Sequence, residues 1–408
     1  MENGELIPHL FRTEFSKMVS VLCRRFGFEH IETAEDIAGD TFLTAAQTWG
    51  LNGLPQNPTA WLYSVAKNKA KNYVQRTSIF EQKIIPELRS VSSSTDEFEI
   101  DLSPQNIIDS QLRMMFALCH PSIPAEAQIG LSLRILCGFG IEEIADAFLT
   151  NKETIQKRLF RAKEKLRENN ISIELPGEFE IDRRLTAVLR TIYLLFSEGY
   201  YSVSQNRTLR KDLCFEAMRL CTMLVENEGT NKPGVNALLS LMCFHASRFG
   251  ARLNKDGELV FYDDQDPSLW NSDLISKGGY YLHRATGGSE VSTYHLEAAI
   301  AYWHTQKTDA KEKWENILQL FNHLLQVEYS PIAALNRTYA LSRARGKQEA
   351  IAEAEKLKLE NNHLYFNLLG VLYTGVDNGK AKRNFQKSLL LAKTEADKQT
   401  IQKHLDKL

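Results

Sequence analysis

The side chains that could perform enzymatic chemistry are few and scattered in this sequence. Glu198 and His245 are of the types that act as general acid and base, but nothing in the sequence brings them together. Asp263, Asp264 and Asp266 could hold magnesium or calcium, yet the regular spacing of a calcium-binding loop is absent. We interpret them as a surface loop whose carboxylates cap the helix that follows. The sequence therefore predicts no catalytic site, no metal and no cofactor.

Basic side chains form a clearer pattern between Ile141 and Arg167, and this pattern points to phosphate binding. They occupy positions that an apolar helical stripe leaves free. Cations there can neutralise DNA phosphates, while polar side chains read base edges in the major groove. A merely solvated helix face is the alternative. The candidate DNA contacts are Lys152, Glu153, Thr154, Gln156, Lys157, Arg158 and Arg161.

The elements that would position these side chains are two short amphipathic helices. Apolar residues at Ile141, Ile144, Ala145 and Phe148 form the first helix, and the second has i, i+4, i+7, i+11 spacing. Asn151 is a suitable N-cap for the second helix. A basic second helix after a tight connection is typical of a helix-turn-helix. The apolar positions of the second helix are Ile155, Leu159, Ala162 and Leu166.

A further basic helix follows the loop from Gly50 to Pro58, which is rich in residues that break regular structure. Rings, amides and lysines alternate along it, a mixture suited to stacking on bases, reading their edges and neutralising phosphates in opened nucleic acid. For Trp61 and Tyr73 a place in the hydrophobic core is the alternative. The candidate contacts on this helix are Trp61, Lys67, Asn68, Lys71, Asn72, Tyr73 and Arg76.

An acidic amphipathic helix precedes that loop. Thr33 marks its predicted start, and the apolar residues Ile37, Phe42 and Ala45 face one way. Gly39 lies inside it, at a cost of about 1 kcal/mol relative to alanine. Its acidic residues, Glu35, Asp36 and Asp40, face another way.

Length and composition bound these interpretations. A chain of 408 residues predicts two to three domains. The net charge of −2 confines nucleic-acid contacts to local patches. No apolar run approaches a membrane span, and the N-terminus lacks a signal core, so we expect a cytoplasmic protein. The six cysteines form no CxxC pair, and Cys119-His120 is the only adjacent Cys/His pair, which favours buried reduced thiols.

Taken in order, these segments resemble an extracytoplasmic-function sigma factor of bacterial RNA polymerase. The resemblance is carried by AEDIAGDTFLTAAQTW, NPTAWLYSVAKNKAKNYVQR and the helix-turn-helix, over about 170 residues. It implies that the acidic helix docks on the clamp of the polymerase β′ subunit through Glu35, Asp36, Asp40 and Phe42. It also implies that the second segment, with Asn57 in the preceding loop, reads the −10 promoter element. The helix-turn-helix would read the −35 element.

The resemblance also sets the expected domains of an all-α protein. Residues 1–78 would form the region 2-like domain, 79–105 a flexible acidic linker, and 106–172 the region 4-like domain, with two helices on either side of Pro121 and Pro124. Residues 173–408 resemble the helical extension of one subgroup of these sigma factors. Periodic apolar stretches predict helices there at Leu185–Phe196, Leu213–Leu224, Val235–Phe249 and Leu296–Trp303, and its last third has tetratricopeptide-like helix pairs.

We therefore expect a sigma factor that binds core RNA polymerase, through β′ and β, and promoter DNA. The extension would bind a regulatory protein or ligand. One alternative is a stand-alone regulator that binds duplex DNA without polymerase, which would leave the acidic helix and the helix from Trp61 to Arg76 without a role. The other is an enzyme whose C-terminal part is catalytic.

Overall fold

The computed structural model describes residues 3–84, 100–148, 150–201, 210–252, 260, 262–288, 290–308 and 310–408. These residues form eighteen α-helices, α1 to α18, and no strand, so the predicted all-α class is confirmed. The chain divides into two compact units, Met1–Thr191 and Ile192–Leu408. We call the second unit the extension.

The first three helices pack around a common core. They are α1 (Asn3–Phe26), α2 (Ile31–Asn52) and α3 (Pro58–Ile84). Phe15, Met18 and Leu22 of α1 are almost fully buried, together with Ile31 and Leu62 from the other two helices. The helix α2 begins two residues before the predicted Thr33, directly after the turn at Phe28–His30. It continues through Gly39, where an added Cβ would meet nothing within 4 Å.

Four further helices follow in the first unit. They are α4 (Pro104–Leu118), α5 (Ala125–Leu131), α6 (Ile141–Ala147) and α7 (Lys152–Glu168), with a π-helical turn, Ser132–Leu136, after α5. The two helices predicted around the prolines are thus present. In α7 the four predicted apolar positions are all buried, and the side chain of Asn151 accepts the N–H of Thr154 at 2.8 Å.

The predicted linker, 79–105, lies for the most part outside the described residues. Its two ends are structured, because α3 continues to Ile84 and Ser103 caps α4. Ile100 and Leu102 are buried before that cap. The apolar side chains at 100 and 102 therefore anchor the chain where acidic composition predicted a tether.

The boundary between the two units falls inside α8 (Glu178–Tyr201), later than the predicted change of domain after residue 172. The first half of this helix is fixed to the first unit by two hydrogen bonds. Arg184 Nη2 donates to the carbonyl of Phe116 at 2.7 Å, and Thr191 Oγ1 donates to Gln128 Oε1 at 3.0 Å.

The helices after α8 are α9 (Lys211–Glu226), α10 (Pro233–Ser247), α11 (Ser272–Ala285), α12 (Thr293–Thr305), α13 (Lys311–Val327), α14 (Pro331–Arg345), α15 (Lys347–Lys356), α16 (His363–Tyr373), α17 (Asn378–Leu391) and α18 (Glu395–Asp406). Three of the four predicted apolar stretches fall within α8, α9 and α12, and the fourth, Val235–Phe249, runs past the end of α10. The predicted helix pairs are α14 with α15, joined at Gly346 (φ 103°), and α16 with α17, joined near Gly375 (φ 78°).

Two chemical expectations can be compared with the fold. All six cysteines are buried free thiols, as the sequence predicts, and burial raises the pKa of Cys119 to about 11. None of the described helices is long and apolar enough to span a lipid bilayer.

Candidate nucleic-acid and polymerase interfaces

The predicted −35-reading surface is the solvent face of α7. The capping of α7 by Asn151 and the burial of its apolar stripe leave the polar residues of its first half facing solvent. Lys152 pairs with Glu142 at 2.7 Å, and Arg158 pairs with Glu126 at 3.1 Å while its guanidinium lies over the ring of Phe148. Exposed side chains on this face are Lys152, Glu153, Thr154, Gln156, Lys157 and Arg161, and Arg158 is half-buried.

The predicted −10-reading helix, α3, is held on α1 by a buried polar contact. Tyr63 donates to Glu14 Oε2 at 2.5 Å, and Glu14 is 6% exposed. Burial, followed by this hydrogen bond to a carboxylate, raises the pKa of Tyr63 above its usual range. The contact fixes which side of α3 faces solvent.

The predicted contacts on α3 fall into two groups. Trp61 packs edge-on against Trp49 with ring centroids 5.3 Å apart, and Tyr73 lies 5.7 Å from the ring of Phe26. Both rings are half-buried and have protein partners, as the alternative interpretation expects. Asn57 accepts the N–H of Ala60 at 3.0 Å and so caps α3. The polar candidates that stay exposed are Asn68, Lys71, Asn72 and Arg76, with Lys67 half-buried.

The predicted polymerase-docking surface is the acidic face of α2. Asp36 and Asp40 are exposed, and they line a groove of about 470 Å³ together with Phe11, Phe15, Glu35, Gly39, Leu43 and Arg134. Phe42 does not belong to this surface. It is 5% exposed and its ring packs against Phe11, so it supports α2 from the inside.

Glu35, at the centre of the predicted docking surface, is covered by cations from the predicted region 4-like domain. Arg134 Nε donates to Glu35 Oε1 at 3.0 Å, and Lys163 of α7 donates to Glu35 Oε2. The side chains of Glu35 and Lys163 are only 11% and 12% exposed. One turn earlier, Glu32 pairs with Arg167. We call this set of pairs, formed by Arg134, Lys163 and Arg167 with Glu32 and Glu35, the charge latch.

Further contacts extend the same interface beyond the charge latch. Arg24 of α1 pairs with Asp109 of α4 at 2.6 Å, and Gln111 donates to Ser16 at 3.3 Å. Gly138 has φ +70°, and an added Cβ there would lie 3.1 Å from the carbonyl oxygen of Arg12. The backbone of α1 thus approaches a glycine that no larger residue could replace without strain.

The sequence did not identify the cations of the charge latch as partners of the acidic helix. Arg134 was part of an apolar helix, and Lys163 and Arg167 were counted with the basic face of α7. A signal does exist, because Arg134 interrupts the apolar run LSLRILCG. A charge amid buried residues needs a partner.

In the extension, the weak candidates for catalysis and metal binding gain no support. Asp266 accepts the N–H of Ser268 at 2.8 Å and so caps the short helix Pro267–Leu269, as predicted. Asp264 is exposed, and the side chain of Asp263 lies outside the described residues. Among the described residues, no group of three or more His, Cys, Asp or Glu side chains could hold a metal ion. His245 contacts the hydroxyl of Tyr200 at 3.1 Å rather than Glu198.

Two segments of the chain match known protein families. Residues 11–79, which contain α2 and most of α3, match the family model for sigma-70 region 2. Residues 184–286 match a family of unknown function, DUF6596. An uncharacterized protein of Rhizobium meliloti is 31% identical over 389 residues, which cover 93% of this chain and 91% of that protein. The chain belongs to the extracytoplasmic-function sigma factors, in the subgroup with a long C-terminal extension.

Two relatives carry the family name over part of the chain. The ECF RNA polymerase sigma-E factor of Haemophilus influenzae is 30% identical over 115 residues, covering 27% of this chain and 60% of that protein. The RNA polymerase sigma factor YlaC of Bacillus subtilis is 25% identical over 174 residues, covering 41% of this chain and 94% of that protein. No solved structure gives a significant match. The sigma-factor role is therefore supported at low identity, and it points away from an enzyme.

Proposed function

We propose that this sigma factor binds core RNA polymerase and directs it to particular promoters, without catalysis of its own. The observation that carries the proposal is the order of three polar surfaces along one compact unit. An acidic face on α2 is followed by a basic and amide face on α3 and a basic face on α7. Phosphate contacts would position the DNA, and polar contacts to base edges would select it.

In this proposal each surface keeps the residues that solvent can reach. Polymerase contact falls to Asp36 and Asp40, with Glu35 joining once its cations are released. The −10 element falls to Asn68, Lys71, Asn72 and Arg76 on the exposed side of α3. The −35 element falls to Lys152, Glu153, Thr154, Gln156, Lys157, Arg158 and Arg161. Residues 173–408 would act as the regulatory or interaction part.

The charge latch gives the proposal a conformational requirement. Glu35 cannot contact polymerase while Arg134 and Lys163 occupy both of its carboxylate oxygens. We propose that the described conformation of the first unit is a closed form and that the region 4-like domain leaves α2 when polymerase binds. Polymerase would then replace two intramolecular cations with its own surface.

The test is recovery of the full-length chain with immobilised core polymerase at low salt, followed by run-off transcription. We expect a complex, and we expect Asp40→Lys to reduce recovery because it reverses a charge on the docking face. Glu360→Lys, an exposed charge reversal in the extension, is the matched control and should change nothing. Binding to duplex DNA with no polymerase complex would instead favour the stand-alone regulator.

A further inference from the structure

A cluster of cations and aromatic rings lies inside the extension. Arg248 and Arg252 both contact the ring system of Tyr200, which is 5% exposed. The guanidinium of Arg252 lies 3.8 Å from the ring centroid, and Arg248 Nη2 donates to the Tyr200 hydroxyl at 3.4 Å. Arg248 also lies 5.4 Å from the ring centroid of Tyr262. We call this set the arginine–tyrosine cluster.

The counter-ions of the two arginines in the cluster can be assigned only among the described residues, which leave out 202–209 and 253–259. Among the residues that the structure describes, no acidic side chain forms an ion pair with Arg248 or Arg252. Arg248 is 8% exposed, and its Nε–H is buried without an acceptor; Arg252 Nη1 is likewise buried without an acceptor. The indole N–H of Trp270 is also buried without an acceptor, and its ring centroid lies 6.4 Å from that of Tyr262. The side chains of Arg248, Arg252 and Trp270 thus each have a buried N–H group without an acceptor.

The two imidazoles beside the cluster, those of His245 and His304, do not compensate the charge of its arginines. Burial, and then the charges of Arg248 and Arg252, hold the pKa of His245 well below its usual value. Burial and the charges of Arg248 and Lys313 lower the pKa of His304 to about 3. Both imidazoles therefore stay neutral near pH 7 and carry no charge of their own.

A buried guanidinium without a counter-ion is costly, and a charge-assisted hydrogen bond to an oxyanion would remove the cost. We propose that the arginine–tyrosine cluster is a binding site for a small organic anion, whose carboxylate or phosphate accepts hydrogen bonds from Arg248 and Arg252. The rings of Tyr200 and Tyr262 would flank the rest of the ligand. Guanidinium groups suit this task because their planar fork matches both oxyanions.

Burial decides between a small molecule and a nucleic-acid backbone. Tyr200 and Arg248 are more than nine-tenths buried, so a duplex phosphate could not approach them without unfolding the surrounding helices. Every residue of the site belongs to the extension.

The test is calorimetric titration of the full-length chain with inorganic phosphate and, separately, with succinate at constant ionic strength. The variants Arg248→Met and Arg252→Met remove the cations but keep the length of the side chain. The matched control is Arg284→Met, because Arg284 also lies over a tyrosine, Tyr280, but is exposed. We expect the Kd of at least one anion to rise about 10-fold or more in both cluster variants and to stay unchanged in the control.

The outcome separates the ligand classes. Arginine-dependent binding of phosphate alone identifies a phosphate ligand, and such binding of succinate alone identifies a carboxylate. Binding that is equal in all variants, or absent for both anions, overturns the proposal. Thermal unfolding gives a second check, because removal of an unpaired buried charge should leave the midpoint unchanged or raise it. A lower midpoint for Arg248→Met would show that the guanidinium already has its counter-ion.

Discussion

The two compact units handle buried charge in opposite ways. In the first unit, Arg134 and Lys163 meet on the two oxygens of Glu35, so the charges compensate one another. In the extension, Arg248 and Arg252 meet on a tyrosine with no carboxylate beside them among the described residues. A carboxylate that is paired with cations of its own chain can exchange them for cations of a binding partner. A cation without a counter-ion can instead bind an added anion. This difference underlies our two proposals, that the first unit opens and that the extension binds an anion.

We expect the largest effect from removing the cations of the charge latch. In the double variant Arg134→Ala/Lys163→Ala, Glu35 would be left with an uncompensated charge in the closed form, which favours opening. We expect the apparent affinity for core polymerase to rise about 10-fold, because the binding-competent form becomes more populated. Fluorescence anisotropy with labelled polymerase would measure it.

The control for the latch variant is Lys165→Ala. Lys165 lies on the same helix, α7, but is exposed and belongs to no ion pair of the latch. Its removal should leave polymerase affinity unchanged. An unchanged or lower affinity in the double variant would mean that the latch does not oppose docking.

A third way of handling buried charge, neutralisation, gives the next prediction. Burial raises the pKa of Glu297 in α12 to about 7, against a small opposing effect of its hydrogen bond with Tyr193. The folded state then binds more protons than the unfolded state between about pH 4.5 and pH 7, so this group loses stabilising effect as the pH rises through that window. We expect Glu297→Gln to stabilise the protein at pH 8 by about 1 to 3 kcal/mol.

The measurement is chemical unfolding of the extension at pH 5 and pH 8 for both proteins. Near pH 5 the two should differ little, because the native carboxyl is protonated there. An equal difference at the two pH values would show that the substitution acts through packing and not through ionisation.

The smallest expected effect concerns the exposed face of α7, whose charges are not used by the latch. Lys157→Ala should weaken promoter binding of the polymerase complex and reduce the slope of log K against log salt by about one phosphate equivalent. Lys393→Ala, an exposed lysine in the extension, should leave the slope unchanged. If the slope of log K against log salt in the Lys157 variant equals that of the unsubstituted protein, the Lys157 side chain does not contact a phosphate.

Local features of the fold could be predicted from the sequence because their causes lie within a few residues. The apolar spacing of α7 and the cap at Asn151 are both set by neighbours three or four positions away. The position of α2 was predicted, although its start was not, since the turn before it allows the helix to begin at Ile31.

The long-range contacts could not be predicted in this way. Arg134 and Glu35 are 99 positions apart, and no periodicity connects them. The same holds for Arg252, which lies after the end of α10, and Tyr200, which belongs to α8. Phe42 shows the related limit on site residues, because a family motif names the helix that docks but does not say which of its side chains the core has taken.

The most direct test of the account measures the distance between α2 and α7 in the full-length chain. Spin labels at Gln47→Cys and Lys165→Cys, both exposed, would report it, since the six native thiols are buried. We predict one short distance in the free protein and a longer one when core polymerase is bound. A distance that stays short in the polymerase complex would contradict the closed form and its opening.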